Sequence, residues 1–262
     1  MTKFFKNLFR LILIKTPFFI IINYIKNFFP NYKSKRKSLI IEKKIYDNFI
    51  SLNDTEKWFC NNLSFLTKNF RNISGIKDIL EIGSYEGRSA IFFLKTFLNS
   101  KITCVDTWSG SDEHLNFDFI KIEKNFDSNT SEFHSSSRLI KIKNTSNYFF
   151  KKNQKTYDLI YVDGDHSSDQ VTEDINNSWK LLNKGGYLIL DDFMWWYYKN
   201  LNKNPSTPIN NFIIKYISEI KSLKVWHQVI IEKNDYILIL FKALFLNKFA
   251  SLIYLLTISV DL

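Results

Sequence analysis

The sequence has little cysteine and no apolar run long enough to cross a membrane. Its 262 residues include two cysteines, Cys60 and Cys104, which form neither a CxxC pair nor the spacing of a zinc site. A disulfide scaffold is therefore excluded, and a reducing compartment is expected. The longest charge-free run near the N-terminus, residues 16–25, is too short to span a bilayer. No small-residue cleavage site follows it, so we expect no secretory signal.

Acidic residues are almost missing from the first 44 positions, which contain eleven lysines or arginines and one acid, Glu42. This segment accounts for the whole net charge of +10, and residues 45–262 hold 25 basic and 25 acidic residues. A nucleic-acid-binding domain would carry its basic excess on the folded surface. Because the excess here belongs to a tail, no nucleic-acid partner is expected.

The tail allows two interpretations, because its apolar and aromatic residues are interspersed with lysines. It forms either an interfacial helix on anionic lipid or a helix that packs on the following domain. We divide the chain into this segment (1–44), a central domain (45–242) and an apolar C-terminal segment (243–262). We expect a cytoplasmic protein, and the first interpretation adds peripheral attachment to the inner face of a membrane.

Strand-like and helix-like segments alternate from about residue 75. With 45% apolar residues the chain has enough material for a large core. Alternation of this kind predicts an α/β domain with a mostly parallel sheet and helices on both faces. The strand-like segments are 77–83, 101–108, 139–144, 157–164 and 185–192, and the helix-like segments between them are 88–98, 112–126, 146–153 and 169–182.

Beyond residue 192 the pattern predicts one more helix and two more strands. The helix covers 207–220, with Thr207 as a cap and Pro208 at the first helical position. The runs 224–233 and 235–242 look like an antiparallel pair that closes the sheet. In open α/β sheets ligands bind beyond the carboxyl ends of the strands. Polar residues that follow strands therefore point to a cleft.

The first strand is followed by a glycine-containing turn, "LEIGSYEGRSA" (80–90). Gly83 and Gly87 allow a ligand to approach the backbone closely. The turn fails the dinucleotide pattern GxGxxG, because Tyr85 and Arg88 stand at the second and third glycine positions, and it also fails the GxxxxGK[ST] phosphate loop. Asp106 ends the second strand, where a carboxylate can bind ribose hydroxyls or cap a turn.

Four segments in this order resemble the class I S-adenosylmethionine-dependent methyltransferases. Within that class they are most similar to metal-dependent sugar and macrolide O-methyltransferases, and the resemblance covers roughly residues 54–242. It implies a Rossmann-like seven-stranded sheet whose last strand is antiparallel. The segments are "LEIGSYEGRSA", "TCVDTWSGSDEH", "YVDGDHSSDQVTEDINNSWKLLNKGGYLILDDF" and "HQVIIEK".

The resemblance implies S-adenosylmethionine as cofactor and a set of residues that bind it. Asp106 would hold the ribose, Trp108 would border the adenine, and Ser146 would lie near the adenine edge. The wider class often has glycine where Tyr85 stands, so the loop is expected to be less open here. The complete cofactor set is Glu81, Gly83, Ser84, Tyr85, Gly87, Asp106, Trp108, Ser146 and Asp163.

Acidic residues also follow the fourth and fifth strands. Carboxylates that converge on one cleft repel each other unless a cation neutralises them, and oxygen ligands favour Mg²⁺ or another divalent cation. The resemblance implies Asp163, Asp191 and Asp192 as ligands. The alternative is that Asp192 caps a loop, since related proteins of this fold work without metal.

Two neighbouring side chains are candidates for the catalytic base. Histidine has the better unperturbed pKa for proton removal near neutrality, which favours His166. The resemblance supports Asp165 at least as well. The expected function is therefore metal-assisted O-methylation of a hydroxylated small molecule or saccharide. The alternatives are a catalytically silent cofactor-binding module tethered to a membrane and a nicotinamide-dependent oxidoreductase.

Overall fold

A seven-stranded sheet lies at the centre of the computed structural model, which describes residues 2–33, 35–52, 58–110 and 117–234. The strand order is β3-β2-β1-β4-β5-β7-β6; strands β1 to β5 pair in parallel, and β7 is antiparallel to both of its neighbours. The predicted Rossmann-like sheet with an antiparallel last strand is confirmed. The strands are β1 (Asp78–Ile82), β2 (Lys101–Asp106), β3 (Leu139–Lys143), β4 (Tyr157–Val162), β5 (Leu182–Leu190), β6 (Ile220–Val225) and β7 (Val229–Lys233).

Helices cover the sheet, so the central strands β1 and β4 are buried along almost their whole length. This explains why apolar residues dominate both strands without alternating with polar ones. The described α-helices are α1 (Thr2–Leu13), α2 (Phe18–Lys33), α3 (Lys35–Ile45), α4 (Leu63–Phe70), α5 (Arg88–Thr96), α6 (Phe119–Asn129), α7 (Ser131–Ser135), α8 (Ser146–Lys152), α9 (Ser168–Leu181) and α10 (Ser206–Lys215).

The two closing strands lie earlier in the sequence than the predicted segments 224–233 and 235–242. The segment 224–233 is not one strand, because a turn at residues 226–228 separates the end of β6 from β7. These two strands form the antiparallel pair, and residues 235–242 lie outside the described part of the chain. The cap of α10 was also wrong: the helix begins at Ser206 after Pro205, so Thr207 and Pro208 are its second and third residues.

The carboxyl ends of the central strands lie level with one another. Backbone N–H groups of Gly83, Asp163 and Asp191 donate to the neighbouring strands β2, β1 and β4 at 2.9, 2.8 and 3.0 Å. Asp106 ends β2 in the same row. Parallel pairing therefore brings the residues that follow four separate segments to one edge of the sheet.

The N-terminal helix α2 packs on the outer strand β6. The Asn23 side chain donates to the Leu223 carbonyl (2.9 Å) and accepts from the Val225 N–H (2.8 Å), so it pairs with the strand as a neighbouring strand would. Tyr24 stacks on Trp226 with ring centroids 6.1 Å apart. The inner face of α2 therefore packs on the domain, as one of the two interpretations of this segment expects.

The outer faces of α1 and α2 carry exposed aromatic and aliphatic side chains. Among the described helices, none is both long and apolar enough to cross a bilayer. The predicted C-terminal segment 243–262 lies outside the described residues.

Candidate active site

The turn after β1 is held in an unusual backbone conformation. Gly83, Tyr85 and Gly87 have φ values of 83°, 46° and 89°, in the left-handed region that favours glycine. A Cβ atom at Gly83 would overlap the carbonyl group of Asp163, so the turn after β1 and the end of β4 touch through their backbones. Tyr85 adopts the conformation that a glycine would adopt easily, which explains how it replaces the glycine common in the wider class.

The Asp106 carboxylate fastens this turn. One oxygen accepts the N–H groups of Ser84 and Tyr85 at 2.8 and 2.9 Å, and the other accepts the Trp108 N–H at 2.7 Å. The Trp108 indole N–H donates to the Tyr85 carbonyl at 2.9 Å, and its ring is buried against Phe126. Asp106 and Trp108 therefore shape the loop in addition to lining the cleft.

Glu81 is buried beneath the same turn. Among the described residues, neither of its carboxylate oxygens has a partner in hydrogen-bonding geometry. Burial raises the pKa of Glu81 to about 7, and the nearby hydroxyl groups of Ser84 and Ser89 offset part of this rise. A buried acid without a partner is costly, and a cationic amino group close to it would relieve that cost. This is the feature that best fits the ammonium group of a bound cofactor.

These residues surround a cleft of about 440 Å³ at the carboxyl edge of the sheet. Nine predicted site residues line it, whereas Glu81 and Gly87 lie just behind its wall and Asp191 and Asp192 lie outside it. The nine are Gly83, Ser84, Tyr85, Asp106, Trp108, Ser146, Asp163, Asp165 and His166.

Three polar residues, Ser146, Gln170 and Asp174, lie together at the far side of the cleft. Of these, only Ser146 was predicted as a site residue. The Gln170 side chain donates to the Ser146 hydroxyl at 3.2 Å and to the Asp174 carboxylate at 2.9 Å. Burial raises the pKa of Asp174 to about 6, although both neighbours lower it. Asp174 could have been recognised from the sequence, because it lies on the same face of α9 as the apolar residues Val171 and Ile175.

Two carboxylates and an imidazole meet beside the cleft. The His166 Nε2 atom lies 2.8 Å from Asp192 Oδ2 and 3.4 Å from Asp163 Oδ1. One potential ligand atom from each of these three residues lies within 4.8 Å of the others, a spacing that could hold a metal ion. Asp192 has φ of 55°, so it turns its side chain towards His166 at some backbone cost.

Asp191, the third predicted ligand, lies next to this cluster and is hydrogen-bonded to its neighbours. Its carboxylate accepts hydrogen bonds from the Tyr161 hydroxyl, from the Gln228 amide (2.8 Å) and from the Asp192 N–H (2.7 Å). The Tyr161 hydroxyl is also 3.0 Å from Asp163. The buried Tyr161 and the half-buried Asp191 thus form a layer beneath the cluster of Asp163, His166 and Asp192.

The electrostatics of this cluster favour a positive charge. Burial raises the pKa of Asp163 to about 6, and the Asp192 charge adds to the rise while His166 opposes it. Burial, followed by the charges of Asp163 and Asp192, raises the pKa of Asp191 well above its ordinary value. A bound cation would stabilise all three carboxylates in their charged forms.

The two candidate bases differ in environment. The Asp165 carboxylate is exposed and accepts the N–H of Ser167 at 2.7 Å, just before the start of α9. His166 is half-buried between the two carboxylates and packs against Trp195, with ring centroids 5.0 Å apart. Both side chains line the cleft.

Residues 193–198, of which five are aromatic, border the cluster. Phe193 and Met194 belong to the core, whereas Trp195 and Tyr197 stack with centroids 5.2 Å apart and Tyr197 is exposed. The Arg10 guanidinium of α1 lies over the Trp196 ring, 5.2 Å from its centroid. This segment therefore forms a wall between the carboxylate cluster and α1.

Residues 80–193 match a family model described as a methyltransferase domain. A curated but uncharacterized protein of Acanthamoeba polyphaga mimivirus is 44% identical over 36 residues. That match spans 14% of this chain and 16% of the viral protein.

Solved structures share the fold at low sequence identity. A Staphylococcus aureus protein described as a candidate caffeoyl-CoA O-methyltransferase has a TM-score of 0.54 and 15% identity, over 77% of this chain and 99% of that chain. MycE from the mycinamycin pathway, in complex with Mg and SAH, has a TM-score of 0.49 and 16% identity, over 75% and 54% of the two chains. The O-methyltransferase of Bacillus cereus in complex with SAH has a TM-score of 0.46 and 14% identity, over 79% and 94%.

Residues 80–193 therefore form a methyltransferase domain, and the sheet around them has the Rossmann-like fold of S-adenosylmethionine-dependent methyltransferases. Its fold is that of an O-methyltransferase. The nicotinamide-dependent oxidoreductase and the silent binding module are not favoured.

Proposed function

We propose that the protein transfers the methyl group of S-adenosylmethionine to a hydroxyl group of a small molecule or saccharide, assisted by a divalent cation. The observation that carries the proposal is the backbone contact between Gly83 and Asp163. It joins the cofactor loop to the carboxylate cluster, so the two reacting partners would meet there. The description of the similar Staphylococcus aureus protein supports oxygen as the acceptor atom.

The cofactor set consists of the predicted residues. Glu81 would bind the cofactor's amino group, the loop from Gly83 to Gly87 (with Ser84 and Tyr85) would hold the methionine part, and Asp106 would hold the ribose. Ser146 and Trp108 would border the adenine, and Asp163 would contribute to the cofactor site as well as to the cation site. When bound, S-adenosylmethionine supplies a methyl group that is already activated, so that positioning contributes most of the remaining catalysis.

Mg²⁺ is the proposed cation, held by Asp163 and Asp192, because carboxylate oxygens suit this ion better than imidazole does. Asp191, the third predicted ligand, would support the pair from below through its hydrogen bond with Tyr161, or would bind the cation with its other oxygen. When bound, the cation lowers the pKa of an acceptor hydroxyl and orients it.

His166 is the proposed base, because it lines the cleft and its Nε2–H donates to Asp192 at 2.8 Å, which leaves Nδ1 as the nitrogen that would take the proton. That carboxylate stabilises the imidazolium formed when His166 takes the acceptor's proton. Asp165, the other predicted base, is held at the start of α9 and would act from the exposed side of the cleft. The stacked rings of Trp195 and Tyr197 would bind the flat apolar face of the acceptor.

We also propose that the enzyme works in the cytoplasm as a peripheral membrane protein. The support is the basic, apolar N-terminal segment, whose outward side chains are uncovered among the described residues.

Calorimetric titration of S-adenosylhomocysteine into the full chain, with NAD as control, tests the cofactor. Thermal unfolding with and without Mg²⁺ tests the cation, because a ligand that binds the folded state raises Tm. We expect Mg²⁺ to stabilise the wild type but not Asp192→Asn, and Asp169→Asn, which removes an exposed carboxylate of α9, to behave like the wild type. A Tm unaffected by Mg²⁺ in the wild type would contradict metal assistance.

A further inference from the structure

The outward side of α1 and α2 is unusually apolar for a protein surface. Eight of the nineteen large apolar side chains that are exposed among the described residues belong to these two helices. In α1, Phe5, Phe9 and Ile12 follow the i, i+4, i+7 spacing of one helix face and are 57–61% exposed. Clustering of this kind marks an interaction surface rather than scattered exposure.

The second helix extends this surface. Phe18 and Phe29 are 75% and 53% exposed and lie eleven residues apart, three helical turns, on one face of α2. The rings of Phe5 and Phe29 both contact Phe4, with centroids 5.4 and 5.6 Å from it, so the exposed faces of α1 and α2 adjoin. We call the exposed side chains of α1 and α2 the aromatic face.

Basic residues flank the aromatic face. Lys3, Lys6, Lys15 and Lys26 are exposed, and the first acidic residue of the chain is Glu42. On a helix with 100° per residue, Lys6 lies next to the arc of Phe5 and Phe9 and away from the buried Leu11. An apolar strip with a one-signed basic border complements a bilayer that carries anionic headgroups. Nucleic acid would not require the apolar strip, and a protein partner is distinguished from lipid by the test below.

We propose that the aromatic face docks the enzyme on an anionic lipid bilayer with α1 and α2 lying in the plane of its surface. Because Arg10 of α1 contacts Trp196, residues 193–198, which would bind the acceptor, then lie beside the lipid. This proposal rests on the proposed function only for the role of those residues, since docking itself requires no catalysis. Acceptors held in or on the membrane are the substrate class that this arrangement serves.

The test is flotation of the full chain with vesicles of phosphatidylglycerol and phosphatidylcholine, compared with phosphatidylcholine alone. We expect binding to the anionic vesicles that weakens as salt rises, because the Debye length shortens. Phe5→Glu/Phe9→Glu should lower the partition coefficient at least about tenfold. The control Leu98→Glu/Ile140→Glu replaces two exposed apolar residues outside the aromatic face and alters the net charge by the same amount. It should bind like the wild type.

Three outcomes would overturn the docking proposal. The wild type does not float with anionic vesicles; the control loses binding as much as the test variant; or the test variant dissociates a dimer while no form binds lipid, which makes the aromatic face a contact between copies. Titration of S-adenosylhomocysteine in the same samples separates the two proposals. Normal titration without lipid binding refutes docking alone, and lipid binding without titration refutes the proposed function alone.

Discussion

Replacement of Glu81 by glutamine should make the protein more stable above neutral pH while weakening cofactor binding. Burial raises the pKa of Glu81 from 4.5 to about 7, so the folded state resists its ionisation. Each pKa unit is worth about 1.4 kcal/mol, which gives a penalty of about 3 kcal/mol once the group is charged. Glutamine has nearly the shape of the neutral acid and carries no such penalty.

The sign follows from the protons bound in each state. Between pH 4.5 and about pH 7 the folded protein keeps the Glu81 proton that the unfolded chain has lost. The free energy of unfolding therefore falls as pH rises through this window and is constant above it. Glu81→Gln removes that fall, so its advantage over the wild type should grow by about 3 kcal/mol from acid to weakly alkaline conditions.

Urea unfolding of both proteins at about pH 5 and about pH 8 measures the difference. Glu86→Gln is a matched control, because Glu86 is equally buried but accepts hydrogen bonds from Leu52, Ser51 and Asn125. This control should be destabilised at both pH values, since an amide cannot accept all three. If the Glu81→Gln advantage is the same at both pH values, the reasoning from burial is refuted. Titration should show that Glu81→Gln binds S-adenosylhomocysteine at least about tenfold more weakly.

Three further changes probe the loop and the layer beneath the cluster. Asp106→Ala leaves three backbone N–H groups without their acceptor, so we expect a loss of roughly 2–4 kcal/mol in urea unfolding and weak S-adenosylhomocysteine binding; unchanged stability would show that the loop holds itself. Gly83→Ala forces a Cβ into the Asp163 carbonyl at positive φ and should cost about 3 kcal/mol or more, with a mild loss contradicting the contact. Tyr161→Phe removes the hydroxyl shared by Asp163 and Asp191 and should weaken Mg²⁺ binding about tenfold in Tm titrations, whereas unaltered Mg²⁺ affinity would make Tyr161 purely structural.

The sheet was predictable because short strand-like segments rich in apolar residues alternate with helix-like ones, and acidic residues end or follow β2, β4 and β5. The same pattern placed Asp106, Asp163 and Asp192 at one edge, since parallel strands end together. It could not show that Asp191 bonds to Tyr161 while Asp192 faces His166, because this depends on the positive φ of Asp192 and on the Tyr161 hydroxyl. The sequence alone cannot distinguish two adjacent aspartates, whose partners differ because of the backbone conformation.

Residues whose role depends on tertiary contacts were harder to recognise. Asp174 reads as a solvated residue of α9 until Gln170 and Ser146 are seen beside it. The division of the last strands failed for a related reason. Strand-forming residues lie on both sides of the turn at Trp226 to Gln228, and the turn itself is set by the pairing of β6 with β7.

The pairing of Asn23 with β6 means that the N-terminal segment covers part of the edge strand of the sheet, a role that does not depend on lipid. One amide side chain occupies a donor and an acceptor that would otherwise be offered at the open side of the sheet. A chain shortened to begin at residue 45 would uncover that strand together with Trp226, and free strand edges recruit other strands. Shortened forms should therefore self-associate, and their behaviour would misrepresent the intact enzyme.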